Sequence, residues 1–164
     1  MTTTTTSHPV ALATDASSAN KNQSPDAHNQ PMTLWKDAPT RTLSAGGVEF
    51  AYRQLSPDTG VPVVFLTHLA AVLDNWDPRV VDGIAAKHRV ITFDNRGVGA
   101  SSGSTPTSIE EMASDAVVFI RALGYDQVDL FGFSMGGMIA QEIVLMEPQQ
   151  IGRASCRERV WTVV

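Results

Sequence analysis

The sequence predicts an α/β fold with a mostly parallel sheet, and three observations lead to that prediction. Short apolar runs alternate along the chain with segments of helical periodicity, which is the pattern of strands joined by right-handed helical crossovers. Two of the runs, 62–67 and 89–93, are almost entirely apolar, as expected for strands buried on both faces of a sheet. A third run, 127–131, leads into the pentapeptide Gly-Phe-Ser-Met-Gly at 132–136, and a helical segment follows it.

The first periodic elements form a hairpin. Two strands are predicted at 41–45 and 48–55, on either side of Gly46-Gly47, because a glycine pair favours the positive φ angles of a tight hairpin turn. Residues 57–60, Pro-Asp-Thr-Gly, have the composition of a second turn.

Two helices carry recognisable start signals. Asp77 precedes Pro78, so the first is predicted to begin there with Asp77 as its N-cap, and to run to about Lys87. Before it, residues 74–76, Asp-Asn-Trp, are expected to cap the helix and to pack an aromatic ring over the loop. The segment 108–111, Ser-Ile-Glu-Glu, reads as a capping box for the second helix, which is predicted to end at residue 124.

The pentapeptide at 132–136 is the strongest functional signal. A serine between two glycines, after a strand and before a helix, is typical of a nucleophile elbow. The turn is so tight that side chains at Gly132 and Gly136 would collide with the strand and the helix. Ser134 is therefore predicted to be an exposed nucleophile, and the first helical N–H groups, beginning at Met135, to face an oxyanion formed there.

A second group of candidate site residues follows the strand 62–67. His68, Leu69 and Ala70 come at its carboxyl end, the edge where active sites of open parallel sheets lie. The backbone at Leu69 and Ala70 is predicted to supply a second oxyanion donor beside Met135, with His68 holding the loop; the alternative is that His68 only packs.

The loop after the strand 89–93 reads Asp-Asn-Arg-Gly-Val-Gly-Ala-Ser at 94–101. It lacks the third glycine of a dinucleotide-binding loop and the Lys-Ser/Thr of a phosphate-binding loop. The sequence therefore predicts a structured turn in which Asp94 pairs with Arg96, rather than a nucleotide site.

The order and spacing of three features is similar to the N-terminal half of an α/β-hydrolase of the esterase, haloperoxidase and C–C hydrolase type. The resemblance covers residues 40–150 and rests on the loop at His68, the turn Asp94-x-Arg96-Gly97-x-Gly99-x-Ser101 and the elbow Gly132-x-Ser134-x-Gly136. It implies a partial α/β-hydrolase fold, a serine hydrolase acting on an ester or related carbonyl compound, and no metal or organic cofactor. Leu69 departs from the family, which usually has glycine there, and Ser134 differs from the aspartate of its dehalogenases and epoxide hydrolases.

In that family an acidic residue and a histidine follow the serine along the chain. The resemblance implies that both would come after about residue 150, so the parent protein is expected to be a serine hydrolase and this 164-residue chain to be inactive. Two alternatives stay open: a non-catalytic receptor for a small ligand on the same fold, and acyl transfer to an acceptor other than water, including peracid formation.

Composition bounds the partners. The net charge is −5 and there is no basic stripe, which argues against nucleic acid, and no apolar run is long enough to span a membrane. A small-molecule substrate is expected, and a reducing, cytoplasmic location fits the single cysteine. Residues 1–35 are predicted to be a disordered low-complexity tail, because they carry too few large apolar side chains to order themselves.

Residues 151–164 do not continue the pattern of strands and helices that precedes them. Residues 151–160 show neither helical nor strand periodicity. The codon string ATC GGA AGA GCG TCG TGT AGG GAA AGA GTG would encode these ten residues, and it resembles a sequencing-library adapter read in one frame. The sequence therefore predicts that the native chain is interrupted near Gln150 and that residues 151–164 are not native. Because this tail contains the only cysteine, Cys156, the inference of a reducing compartment falls away with it.

Overall fold

The computed structural model describes residues 33–55 and 60–157, and its main feature is one six-stranded sheet. The predicted N-terminal tail up to residue 32, most of the predicted turn at 57–60, and residues 158–164 lie outside the described residues. The strands are β1 (Arg41–Ala45), β2 (Val48–Leu55), β3 (Val63–Leu66), β4 (Val90–Phe93), β5 (Val128–Phe133) and β6 (Ile151–Arg157). The helices are α1 (Pro78–Ala85), α2 (Ile109–Ala122) and α3 (Met135–Met146), with 3₁₀ turns at Trp35–Asp37 and Leu73–Asn75.

The strand order is β1-β2-β4-β3-β5-β6. The hairpin β1–β2 is antiparallel and β2 pairs antiparallel with β4, whereas β4, β3, β5 and β6 run parallel. The predicted α/β class with a mostly parallel sheet is therefore confirmed. The hairpin bounds agree with the sequence prediction, and Gly46 and Gly47 both have positive φ.

Successive side chains of a strand point to opposite faces of the sheet. The side chains of the central strands therefore divide between two hydrophobic cores, one on each face. In β3, Val64 and Leu66 join the larger core under α2 and α3, while Phe65 joins a smaller core with Val81 of α1. Phe93 stacks on Phe119 of α2 with ring centroids 4.4 Å apart, which anchors that helix to the central strands.

The helix starts agree with the predictions, although α1 ends two residues earlier than expected. Asp77 accepts a hydrogen bond from the backbone N–H of Arg79 at 2.9 Å, and Ser108 accepts one from that of Glu111 at 3.2 Å. These side chains satisfy N–H groups that have no partner inside a helix. None of the helices in the described part of the chain is long and apolar enough to cross a membrane.

Two predicted boundaries need correction. The tail was predicted to reach residue 35, but the Trp35 side chain is buried and its indole N–H donates to Thr92 at 3.3 Å. One large aromatic ring buries enough surface to fix its segment against the core, even though the preceding residues are polar.

The second correction concerns residues 151–157, where no strand was predicted. They form β6 beside β5, yet Gly152 to Cys156 are all exposed and only Ile151 is half-buried. The edge of β5 presents unpaired backbone groups that any extended segment can pair with. Because β6 is held by backbone pairing and buries almost no side chain, its sequence carries no alternating pattern from which a strand could be predicted. The non-native origin of residues 151–164 stays a prediction.

Candidate active site

Ser134 occupies the turn that joins β5 directly to α3. Its backbone angles are φ 53° and ψ −119°, a conformation that non-glycine residues rarely adopt and that costs on the order of 1–3 kcal/mol. Its side chain does not cap α3, and it makes no hydrogen bond to any residue that the structure describes. The strained turn leaves this hydroxyl available for chemistry rather than for structure.

The two glycines of the pentapeptide let three backbone segments meet at this turn. A Cβ atom on Gly132 would overlap the carbonyl of Gly136 and lie 2.7 Å from Cα of Gly137. A Cβ atom on Gly136 would overlap the carbonyl of Leu66 in β3 and lie 2.8 Å from the carbonyl oxygen of Thr67. These contacts fix the N-terminus of α3 against the carboxyl end of β3.

That packing brings the predicted oxyanion loop next to the elbow. Met135 is the first residue of α3, so its N–H has no acceptor inside the helix. The loop turns tightly after β3: the backbone N–H of Ala71 donates to the carbonyl of His68 at 3.2 Å, and Ala70 has φ 56°. Leu69 is 70% exposed.

The conformation of this loop explains how it tolerates Leu69. Among the described non-glycine residues, Ala70 and Ser134 have positive φ, and Leu69 does not. The backbone at Leu69 therefore makes no demand that only glycine could meet, and the left-handed conformation falls on the small residue Ala70.

His68 is the first residue of the predicted oxyanion loop, and its ring contacts the strand before the elbow. Its Nδ1 is 3.1 Å from the carbonyl oxygen of Leu69, and its ring packs edge-on against Phe133 with centroids 5.6 Å apart. Both contacts fit the predicted role of holding the loop. The other described histidine, His88, lines a cavity at the amino ends of the strands, away from Ser134.

A cavity of about 380 Å³ lies at the carboxyl ends of the strands, beside the elbow. All four predicted oxyanion-site residues line it, and so do residues of the loop after β4 and of α2. The cavity is of the size that binds small molecules in other proteins. The lining side chains are mostly apolar and include Leu69, Val98, Pro106, Met112 and Met135.

The loop 94–101 is a structured turn, as predicted, but its pairing was predicted wrongly. The Asp94 carboxylate accepts backbone N–H groups of Leu73, at 2.6 Å, and Ala100, at 2.9 Å. Arg96 instead lies 2.7 Å from the carboxylate of Asp115 on α2. Two backbone donors, one from the preceding loop and one from this loop itself, take the place of the side chain two residues away, and no local sequence signal identifies the distant donor.

The Asp115 carboxyl group is only slightly exposed, and burial raises its pKa above the usual 3.8, while Arg96 opposes part of that shift.

Gly99 lies against the Asp94 carboxylate, and a Cβ atom at position 99 would overlap that carboxyl group. Gly99 therefore serves close packing, as the predicted structured turn requires.

A second cavity, of about 350 Å³, lies on the other side of His68. Its walls include Trp76, Phe131 and Phe133, and Trp76 packs edge-on against Phe65 with centroids 4.9 Å apart. Within the segment 74–76, the aromatic packing is as expected.

The other two residues of that segment have different roles from the predicted helix cap. The Asp74 carboxylate pairs with Arg53 of β2 at 2.8 Å. The Asn75 side chain accepts the backbone N–H of Val72 at 2.8 Å. The helix cap is supplied by Asp77 alone.

Asn95 is a polar residue of the first cavity that sequence reasoning did not identify as part of the site. It is 9% exposed and lines the cavity together with Ala70 and Met135. The available signal was a polar residue two positions after a buried strand, but the charged residues on either side of it suggested an ion pair instead.

Several known proteins are similar to this chain in sequence or in structure. A protein from Chitinophaga pinensis with an α/β hydrolase fold is 40% identical, with a TM-score of 0.70 over 71% of this chain and 42% of its own. Est816, an N-acyl homoserine lactone degrading enzyme, is 33% identical, with a TM-score of 0.61 over 70% of this chain and 43% of its own. BpoC of Mycobacterium tuberculosis, whose name describes a non-heme bromoperoxidase, is 36% identical over 97 residues, which is 58% of this chain and 37% of BpoC.

The chain thus spans less than half the length of these relatives. Residues 61–156, more than half of the chain and including the predicted oxyanion loop and the turn at Ser134, match the model of the α/β hydrolase fold family. The chain therefore belongs to the α/β hydrolase fold family.

Proposed function

We propose that the whole protein is a serine hydrolase acting on an ester or related carbonyl compound, with Ser134 as the nucleophile. The observation that carries the proposal is the backbone of Ser134, held at φ 53° and ψ −119° between β5 and α3. Strain of this kind persists where the surrounding structure imposes it, and it clusters at reactive groups. The two flanking glycines supply that constraint.

The reaction needs three contributions. A base removes the proton from Ser134 Oγ as the oxygen attacks the carbonyl carbon; the alcohol leaves with a proton, and water then cleaves the acyl-enzyme. The backbone N–H groups of Met135 and Ala70 hold the oxyanion, and each such donor contributes about 3 kcal/mol to the transition state. The base and its acidic partner are proposed to follow residue 150, so the 164-residue chain alone is expected to be inactive.

The cavity supports a carbonyl substrate with an apolar body. Val98, Pro106 and Met112 line it together with the two proposed oxyanion donors. Est816 degrades a lactone, which is a cyclic ester, and the chain shares its fold at 33% identity.

A second candidate is peracid formation, which the name of BpoC favours. In that reaction hydrogen peroxide takes the place of water and attacks the same acyl-enzyme, giving a peracid and free serine. The two candidates use the same nucleophile and differ in the acceptor.

The test begins with the source gene. Sequencing the locus across the codon for Gln150 should show a reading frame that continues into further strands with an acidic residue and a histidine. A frame that encodes Ile151 to Val164 and then stops would contradict the proposal for the whole protein and favour a receptor.

The encoded protein is then assayed with p-nitrophenyl esters, and for peroxide-dependent bromination. Ser134→Ala should lower kcat/KM by at least about 10³-fold, because removing a nucleophile removes the covalent route. Ser114→Ala, at an exposed position of α2, is the matched control and should keep full activity. Equal activity in the two variants would contradict the proposal.

A further inference from the structure

Asn95 is a buried polar residue whose side chain the described structure leaves without a partner. It is 9% exposed and lines the cavity beside the elbow. Its backbone carbonyl accepts the N–H of Val98 at 3.0 Å, but its side-chain amide makes no hydrogen bond to any described residue. The amide atoms are not sealed from accessible space, so they are free to pair with a molecule that binds in the cavity.

The position of Asn95 is not explained by a need to hold the loop together, because the neighbouring polar side chains already do so. The Asp94 carboxylate accepts two backbone N–H groups, and Arg96 is paired with Asp115. The Ser101 hydroxyl donates to the carbonyl of Asp94 at 2.7 Å and accepts the N–H of Ala51 at 2.9 Å. Among the polar side chains of this loop, that of Asn95 remains available to hydrogen-bond a molecule bound in the cavity.

The surroundings of Asn95 indicate what that would be. The cavity walls are otherwise mostly apolar, and the cavity also contains the proposed oxyanion donors Met135 and Ala70. A polar group within an apolar pocket fixes the orientation and the identity of a ligand. A carboxamide both donates and accepts, so it pairs with a hydroxyl or a keto oxygen as readily as with water.

We propose that Asn95 is a specificity residue that hydrogen-bonds a second oxygen, hydroxyl or keto, of a short carbonyl substrate bound in this cavity. That the bound compound is a substrate rests on the proposed function, whereas the binding of the compound in the cavity does not depend on it. Plain acyl esters would bind through the apolar walls alone, and oxygenated ones would gain one hydrogen bond.

The test measures binding rather than turnover. The 164-residue chain is labelled with ¹⁵N at asparagine and titrated with methyl 3-hydroxybutanoate and, separately, with methyl butanoate, which differ by one hydroxyl group. The hydroxy ester should bind about fivefold more tightly, the size expected for one neutral hydrogen bond, and should shift the Asn95 side-chain amide signals. Equal affinities, or a hydroxy ester that leaves those signals unmoved, would overturn the proposal.

Asn95→Leu keeps the side-chain size and removes the polar atoms. It should abolish the preference between the two esters; a preference that persists would overturn the proposal. The comparison of the two ligands on the unmodified chain decides the question even where this variant does not fold. Ester preference without any hydrolysis by the whole protein would refute the serine hydrolase and leave the binding role of Asn95 intact.

Discussion

The packing of the elbow against β3 predicts a large cost for one methyl group. In Gly136→Ala the new Cβ atom would overlap the Leu66 carbonyl and lie 2.8 Å from the Thr67 carbonyl oxygen. Neither atom can move easily, because β3 is paired on both sides, with β4 and β5. The N-terminus of α3 must shift instead, and the cost should reach the upper end for overpacking, about 3 kcal/mol.

Urea unfolding followed by tryptophan fluorescence measures this cost. With a slope of about 1.5 kcal/mol per molar, a loss of about 3 kcal/mol lowers the midpoint by about 2 M. Gly83→Ala is the control, because a Cβ atom at this exposed position in α1 meets nothing within 4 Å. It should gain about 0.5–1 kcal/mol, as alanine favours a helix over glycine. A Gly136→Ala midpoint equal to that of the unmodified chain would refute the close packing of the elbow.

Three further changes test other parts of the site. Ala70→Gly should raise the free energy of unfolding by about 1 kcal/mol, because it relieves the positive φ of 56°; an unchanged urea midpoint would count against a strained loop. Asp94→Ala should lower it by about 3 kcal/mol, since two backbone N–H groups lose their acceptor, and a loss below about 0.5 kcal/mol would contradict that role. Burial raises the pKa of Asp115 above 3.8, so the native chain holds that proton more tightly than the unfolded chain. Stability of the unmodified chain should therefore fall relative to Asp115→Asn as the pH rises from below 3.8, in urea midpoints measured from pH 3 to 7; a rise would reverse the assigned direction.

Features that depend on neighbouring residues along the chain could be predicted from the sequence. The hairpin at Gly46-Gly47 and the cap at Asp77 are set by backbone preferences that two or three residues express together. The strand, tight turn and helix around Ser134 follow from the same kind of local signal. The mostly parallel sheet follows from the order of these local elements.

Features that depend on residues far apart in the chain could not. Arg96 finds its partner on α2, and Asp94 finds one of its two donors, Leu73, before α1, so both contacts exist only in the folded chain. β6 has almost no buried side chain, and its pairing with β5 leaves no mark in its sequence. The unpartnered amide of Asn95 becomes visible only when the partners of its neighbours are known.

The central claim is that Ser134 is an activated nucleophile in the whole protein, and its reaction with a fluorophosphonate tests this claim most directly. The whole protein encoded by the source gene is treated with the probe, digested and analysed by mass spectrometry. One adduct on Ser134, absent from Ser134→Ala and from the 164-residue chain, is the predicted result. A folded whole protein that carries no adduct on Ser134, or an adduct on another serine, would contradict the claim.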